Sequence, residues 1–181
     1  RSIIYSESAS QTLSFFARAI YNYRDRYVFT ATYRLDGSSK FMGMNKWSQF
    51  PSFAAAWRVS QEPWFNAPVV SMLKLRAGWG VIGNQSVSNY QTMNTYVISR
   101  VAAHDTGNLA ETSVTVTPNN FANPHLKWET SEQYNVGVDF GMWRGRVALT
   151  ADAYYKTTYD LLQTKEIPGS SGFTNYYVNE G

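Results

Sequence analysis

The chain has 181 residues, 44% of them hydrophobic, and its 13 Tyr, 10 Phe and 6 Trp make aromatics 16% of the total, level with the charged share. With no cysteine it can hold neither a disulfide framework nor a thiolate metal site, and no apolar run approaches the ~18 residues of a membrane-spanning helix. The formal charge of +3 is spread along the chain rather than gathered in a patch, so nucleic acid is not an expected partner.

Thr12 to Tyr23 alternates, with Leu13, Phe15, Ala17, Ala19, Tyr21 and Tyr23 on one side and Thr12, Ser14, Phe16, Arg18, Ile20 and Asn22 on the other. That is the period of two of a β-strand. The charged turn Arg24 to Arg26 makes a tight hairpin to a second strand, where Tyr27, Phe29, Ala31, Tyr33 and Leu35 oppose Val28, Thr30, Thr32, Arg34 and Asp36. The strand stops at Asp36-Gly37-Ser38-Ser39, a turn sequence, and Gly37 to Ser48 reads as a loop. Gln49 to Ser60 is a third strand, with Pro51, Phe53, Ala55, Trp57 and Val59 on its apolar side and a proline near its start, where proline is tolerated. Ser60 to Val70 contains two prolines and suits a short helical turn.

Met72 to Ile82 sends Leu73, Leu75, Ala77, Trp79 and Val81 one way and Lys74, Arg76, Gly78 and Gly80 the other. Gly83 to Pro124 is polar and irregular, apart from a local strand expected at Thr112 to Thr117. So long a connection argues against a compact soluble domain unless the loop is functional. Leu126 to Phe140 is a fifth strand, with Tyr134, Val136, Val138 and Phe140 opposite Gln133, Asn135, Gly137 and Asp139. After the turn Gly141 to Gly145, Arg146 to Tyr159 is a sixth, placing Val147, Leu149, Ala151, Ala153 and Tyr155 against Ala148, Thr150, Asp152, Tyr154 and Lys156.

The apolar positions carry no charge, and the opposite faces carry Arg18, Arg34, Asp36, Arg58, Lys74, Arg76, Asp139, Asp152 and Lys156. Such alternation fits either a soluble sheet with one wet face or a membrane barrel with a wet lumen. The connections break the tie: short links fall at one end of the strands and long ones at the other, as in outer-membrane barrels, and strands of ~9 to 11 residues suit a tilted span. Tyr23, Tyr27, Trp57, Phe140 and Trp143 fall near the short-link end, where an interfacial aromatic girdle is expected. Six strands are too few to close a membrane barrel. The expected fold class is therefore all-β, an antiparallel six-strand arc of a larger barrel.

Several runs carry a resemblance. Leu35-Asp36-Gly37-Ser38-Ser39-Lys40-Phe41 resembles the RDGSSRF segment of SusC/RagA-type TonB-linked outer-membrane transporters. Phe50-Pro51-Ser52 and Trp57-Arg58-Val59-Ser60-Gln61-Glu62-Pro63-Trp64 are similar to their FPS and WRISEEPF segments. Leu73 to Gly80 with Gly83-Asn84-Gln85 resembles LKLRASYGxTGNQ, Asn123 to Ser131 resembles NPxLKWETS, and Asp152 to Leu162 resembles DYYxKxTxDLL. Ser171-Gly172-Phe173 with Tyr176-Tyr177-Val178-Asn179 matches one more, and the matches run in the family's order along nearly the whole chain. His125 stands where an acidic residue is common, Gln61 where Glu is usual, and Ala54 to Ala56 where the family mixes Ser and Gly.

The resemblance implies a mid-to-late segment, residues 1–181, of a plugged barrel of about twenty-two strands, in the outer membrane of a Gram-negative bacterium. The plug and TonB box would lie outside it, since the sequence opens at Arg1 without a start methionine or signal peptide. It implies import of oligosaccharides or peptides with a SusD-like lipoprotein and the TonB complex as partners. In that frame Arg18, Arg34, Asp36, Arg58, Lys74, Arg76, Gly78, Gly80, Asp139, Asp152 and Lys156 face the lumen or plug, with Gly78, Gly80 and Gly137 leaving room for close approach. Phe29, Tyr33, Phe53, Trp57, Leu75, Trp79, Val136, Val138, Leu149 and Tyr155 face lipid. Tyr90, Tyr96, Phe121, Phe173, Tyr176 and Tyr177, interleaved with asparagines in the outer loops, are the expected substrate contacts, flat apolar faces beside hydrogen-bonding groups.

Catalysis finds no support. His104 and His125 lie in loops without a third ligand at metal spacing, and no nucleophile elbow or phosphate loop is present, so neither an enzyme nor a cofactor is expected. Two other readings share parts of the pattern: a soluble or surface β-sheet carbohydrate-binding module, and a siderophore or cobalamin receptor barrel.

Overall fold

A computed structural model describes residues 8–102 and 112–181. Among these residues ten strands form in chain order: β1 Thr12–Tyr23, β2 Tyr27–Ser38, β3 Trp47–Arg58, β4 Val70–Asn84, β5 Tyr96–Ala102, β6 Thr112–Pro118, β7 Glu129–Met142, β8 Val147–Tyr159, β9 Leu161–Glu166 and β10 Asn175–Glu180. Six of them make one sheet in the order β1-β2-β3-β4-β7-β8, and β5-β6 and β9-β10 are separate hairpins. Every neighbouring pair in the large sheet is antiparallel. The links 24–26, 59–69 and 143–146 therefore gather at one end, and the long connections at the other, as the alternation and link lengths predict.

The register sets the faces. Ala19, Ala31, Phe53, Trp79, Tyr134 and Tyr155 lie opposite one another across the six strands, and Tyr23, Tyr27 and Trp57 do the same nearer the short links. Tyr27 stacks on Trp57 at 6.1 Å between ring centroids, and Phe53 on Trp79 at 5.8 Å. Between these two aromatic rows lie Ala55 and Ala77, paired directly. No second layer covers this face among the described residues: Phe53 is 56% exposed, Leu149 61% and Tyr155 68%. An uncovered apolar face of this extent is a surface for a partner or a membrane, not for water.

The apolar face ends in a charge that lies within the expected fifth strand but beyond its apolar-face positions, which begin at Tyr134. Glu132 continues the Tyr134-Val136-Val138 side of β7, and it accepts hydrogen bonds from Trp79 Nε1 at 2.6 Å and from the Tyr134 hydroxyl at 2.7 Å. Those two donors turn a carboxylate on a greasy face into the polar edge of an aromatic girdle.

Buried apolar residues collect at the long-link end. Phe41, Phe50, Val87, Leu126 and Trp128 form one core, with Val81, Leu162 and Tyr177 packed against it. Trp128 is its centre, 5.4 Å from Phe41 and 5.6 Å from Phe50 between ring centroids, with its indole N–H donating to the Lys46 carbonyl at 3.3 Å. Leu126 and Trp128, expected in a strand, belong instead to the segment that enters this core, and β7 starts at Glu129. Val59, expected on the apolar face of the third strand, is buried in a 3-10 turn, Val59–Gln61, closed by the Glu62 N–H on the Val59 carbonyl. The strand expected at Thr112 to Thr117 is β6; its partner β5 and the β9-β10 hairpin were not foreseen.

At the short-link end a buried carboxylate joins three elements. Glu62 accepts from Trp57 Nε1 at 3.0 Å and stands 3.5 Å from the Arg26 guanidinium. The Tyr27 hydroxyl, then the Trp57 indole, with Arg26 behind them, hold its carboxyl below the ordinary value against the opposing effect of burial. A carboxylate held low stabilises the fold above its ordinary pKa of 4.5 and loses that contribution as pH falls through the depressed value. Amide protection factors at 59–69, taken against intrinsic exchange at each pH, should therefore fall on acidification in the parent protein. In Glu62→Gln they should be lower at neutral pH and much less pH-dependent; an unchanged acid response in the variant would assign the effect to another group.

Candidate functional site: the polar face and the outer loops

Cross-strand register assembles a charged network on the polar face. Lys74 sits opposite Asp139, which sits opposite Thr150; one step along, Arg76, Gly137 and Asp152 share a row. Arg76 grips Asp139 through Nε and Nη2, both at 3.0 Å, and its Nη2 also reaches Asp152 at 2.9 Å. Asp139 takes a further bond from the Thr150 hydroxyl at 3.2 Å and lies 3.8 Å from Lys74. The arginine can cross to Asp152 because the residue between them is glycine: a Cβ at Gly137 would collide with the Asp152 carboxylate and with the guanidinium. The space over Gly78 is likewise filled by the Asn135 side chain. Sequence reasoning marked these glycines as room for an approaching backbone; neighbouring side chains use the room at both.

The rest of the polar face is lined more loosely. Arg18 bonds Thr32 at 3.3 Å, and Arg34 pairs with Asp36 at 2.8 Å while lying 5.5 Å over the Phe50 ring. Asp36 is 4% exposed, covered by the loops rather than open as the alternation suggests. Thr30, Ser52, Ala54, Gly78 and Gly80, with Gln133 and Asn135, border a shallow hollow of about 390 Å³ beside the Arg76 network. It is a smooth wall with ionic groups along one margin.

The outer loops bring together three of the six aromatics marked in the sequence. Phe121 meets Phe173 at 5.5 Å and Tyr176 at 5.4 Å, both edge to face, and stays 44% exposed. Tyr177, next along β10, points the other way: it packs on the core, and its hydroxyl lies 3.4 Å from Ser88 Oγ. Tyr90 has a positive φ of 64°, and its hydroxyl accepts from the Ala9 N–H at 3.2 Å. Tyr96 is exposed on β5, away from the trio in sequence and in contacts.

The loop asparagines work mainly as staples. Asn120 Oδ1 accepts from the Thr95 N–H at 2.9 Å, and its amide donates to the Tyr90 and Met93 carbonyls at 3.2 and 3.1 Å. Asn179, which no periodicity singles out, accepts from the Lys127 N–H at 2.9 Å and donates to the Lys127 and Asp160 carbonyls at 2.9 and 2.8 Å. With Asn123 donating to the Tyr177 carbonyl at 2.9 Å, it fastens the β9-β10 hairpin to the segment before β7. Among the described residues no three His, Asp or Glu side chains gather as a metal centre; the His104-Asp105 pair lies outside the described residues.

Comparison with known proteins places this arrangement. Residues 2–181 match the model of the family described as TonB dependent receptor-like, beta-barrel. The chain is 37% identical over its whole length to TonB-dependent receptor P26 of Formosa agariphila, of which it spans 18%. It is 36% identical over 89% of its length to TonB-dependent receptor SusC of Bacteroides thetaiotaomicron, spanning 16% of that protein. Among solved structures, a chain of the RagAB peptide transporter superposes on 94% of it with a TM-score of 0.83 and 26% identity, and 18% of that chain is covered. These relatives are named as receptors and as a transporter. The chain is thus an antiparallel six-strand segment of a membrane β-barrel, and it belongs to the TonB-dependent receptor-like β-barrel family, with SusC/RagA-type relatives.

Proposed function

We propose that the chain forms part of the barrel wall and outer loops of a TonB-dependent importer in the outer membrane of a Gram-negative bacterium. Its place would be the C-terminal barrel domain, with the plug and TonB box elsewhere in the longer protein. The observation that carries this reading is the two-faced, uncovered sheet, with short links at one end and a loop-built core at the other. The apolar rows from Phe29, Tyr33, Phe53 and Trp57 through Leu75, Trp79, Val136, Val138, Leu149 and Tyr155 take lipid, and the Arg76-Asp139-Asp152 face, with Arg18, Arg34, Arg58 and Lys156, lines the lumen. Short links then face the periplasm and long loops the exterior. A SusD-like lipoprotein closes the outer mouth, and the TonB complex supplies energy through the plug. The cargo is an oligosaccharide or a peptide.

Within this frame the Phe121-Phe173-Tyr176 trio, with Phe121 exposed and the other two half-buried, is the substrate contact. Its rings offer apolar faces at the outer mouth, and the β9-β10 hairpin that carries two of them is held fast by Asn179. In the full-length protein with its lipoprotein partner, Phe121→Ala with Tyr176→Ala should weaken uptake at low substrate by roughly tenfold, from ~0.5–1.5 kcal/mol per lost aromatic contact. Uptake at saturating substrate should hold. Unchanged half-saturation in a normally folded variant would remove the trio from the substrate path.

A further inference from the structure

At the short-link end, two turns are locked together. The Trp143 N–H donates to the Val69 carbonyl at 2.9 Å, and the Gly145 N–H to Ser71 Oγ at 3.2 Å. Three successive residues of the second turn hold positive φ, Trp143 at 51°, Arg144 at 56° and Gly145 at 82°. For two bulky side chains that conformation is uncommon and is kept only where the surroundings fix it. Between the turns lies a groove of about 600 Å³ lined by Pro68, Val69, Trp143, Arg144 and Arg146.

Its chemistry is divided. Trp143, 56% exposed, and Val69, 45% exposed, are apolar, whereas the two arginines are cationic. Two other cations at this end are engaged, Arg26 with Glu62 and Arg24 over the Tyr23 ring at 5.2 Å, while Arg58 at the end of β3 lies outside the groove. Among the described residues neither Arg144 nor Arg146 has a carboxylate within ion-pair reach. A guanidinium presents a planar fork of donors that fits a phosphate better than a point charge does. Trp143 lies at the same end of the sheet as Tyr23, Tyr27 and Trp57, the end at which the barrel orientation places the headgroups.

We propose that this groove binds the phosphate of an anionic phospholipid headgroup, with Arg144 and Arg146 on the phosphate and Trp143, Val69 and Pro68 against the upper acyl chain. The assignment rests on the barrel orientation above, which puts the short links at the periplasmic leaflet. The site anchors the barrel's depth in the bilayer.

The test uses the full-length protein in phosphatidylcholine vesicles carrying a minor share of phosphatidylglycerol, with retained lipid counted by native mass spectrometry and insertion followed by protease protection. The parent should hold phosphatidylglycerol in preference to phosphatidylcholine. Each of Arg144→Ala and Arg146→Ala should weaken that preference about fivefold, and the pair roughly twenty- to thirtyfold. Arg144→Lys with Arg146→Lys should restore part of it. Equal retention by the parent and the double alanine variant overturns the site, as does displacement of the lipid by inorganic phosphate. A protein that fails to insert overturns the barrel reading as well, which separates the two failures.

Discussion

Trp128→Ala should cost about 3–5 kcal/mol, the range for deleting a buried aromatic whose cavity only partly collapses. Trp128 is 5% exposed and touches both Phe41, three residues past the end of β2, which runs on to Ser38 through the stretch expected as a turn, and Phe50, on β3. Its removal would also free the Lys46 carbonyl. The sheet beneath would persist, because its pairing from Tyr23 to Tyr159 does not pass through the indole. The expected outcome is therefore local: the guanidinium midpoint of the full-length protein falls, and amide protection is lost first at 39–46, 85–87 and 161–180. Trp128→Phe, which keeps the ring contacts and loses the N–H bond, should recover most of the difference. Uniform loss of protection across β1 to β8 would show that the loop core is not a separable unit.

The large sheet was legible because an antiparallel strand with unlike faces writes its own alternation into the sequence. Short links between such strands leave little choice of partner for β1 with β2 and β7 with β8, whereas the pairing of β4 with β7 across the long connection is seen in the structure. What alternation does not encode is where a strand stops. Leu126 and Trp128 continue the apolar phase of β7 on paper, yet they turn into the loop core, since burial against Phe41 and Phe50 outweighs a strand position. Glu132 escaped notice for the converse reason: a charge on the apolar face looks like the end of the pattern, and the Trp79 and Tyr134 donors that accommodate it come from register alone.

The candidate site divides similarly. Arg76, Asp139 and Asp152 were marked one by one, and their union required knowing that Gly137 stands between two of them. Phe121, Phe173 and Tyr176 were marked as loop aromatics, but β9-β10 is too short and polar to announce itself. Only its pairing, Tyr176 with Lys165 and Tyr177 with Thr164, shows that the adjacent tyrosines serve opposite sides.

Gly83→Val should destabilise the same core from its other side, by an amount at or above the top of the ~1–3 kcal/mol usual for overpacking. The pairing of β3 with β4 ends at Ser52 with Gly80, and beyond that point the strands part. The Phe50 ring fills the opening and lies where a Cβ on Gly83 would be. It has little freedom to retreat, with Trp128 5.6 Å away and the Arg34 guanidinium 5.5 Å away, each measured to its ring. Backbone conformation is no obstacle, since Gly83 continues the ordinary extended pairing of β4 with β7 opposite Thr130. The cost is steric, and it should be relieved by shortening the obstructing side chain. Phe50→Ala alone should cost about 3–5 kcal/mol through the cavity it leaves. Combined with Gly83→Val it should cost less than the sum by about 1–3 kcal/mol, the range for residues in direct contact. Gly80→Ala is the milder comparison, because its Cβ would meet Ser52 Cβ at 3.0 Å, with Ser52 Cα and the Pro51 carbonyl at 3.8 and 4.0 Å and no ring among the three. Guanidinium midpoints of the four proteins measure the cycle, and strict additivity between positions 50 and 83 would place the origin of the Gly83 effect in the backbone rather than in the ring.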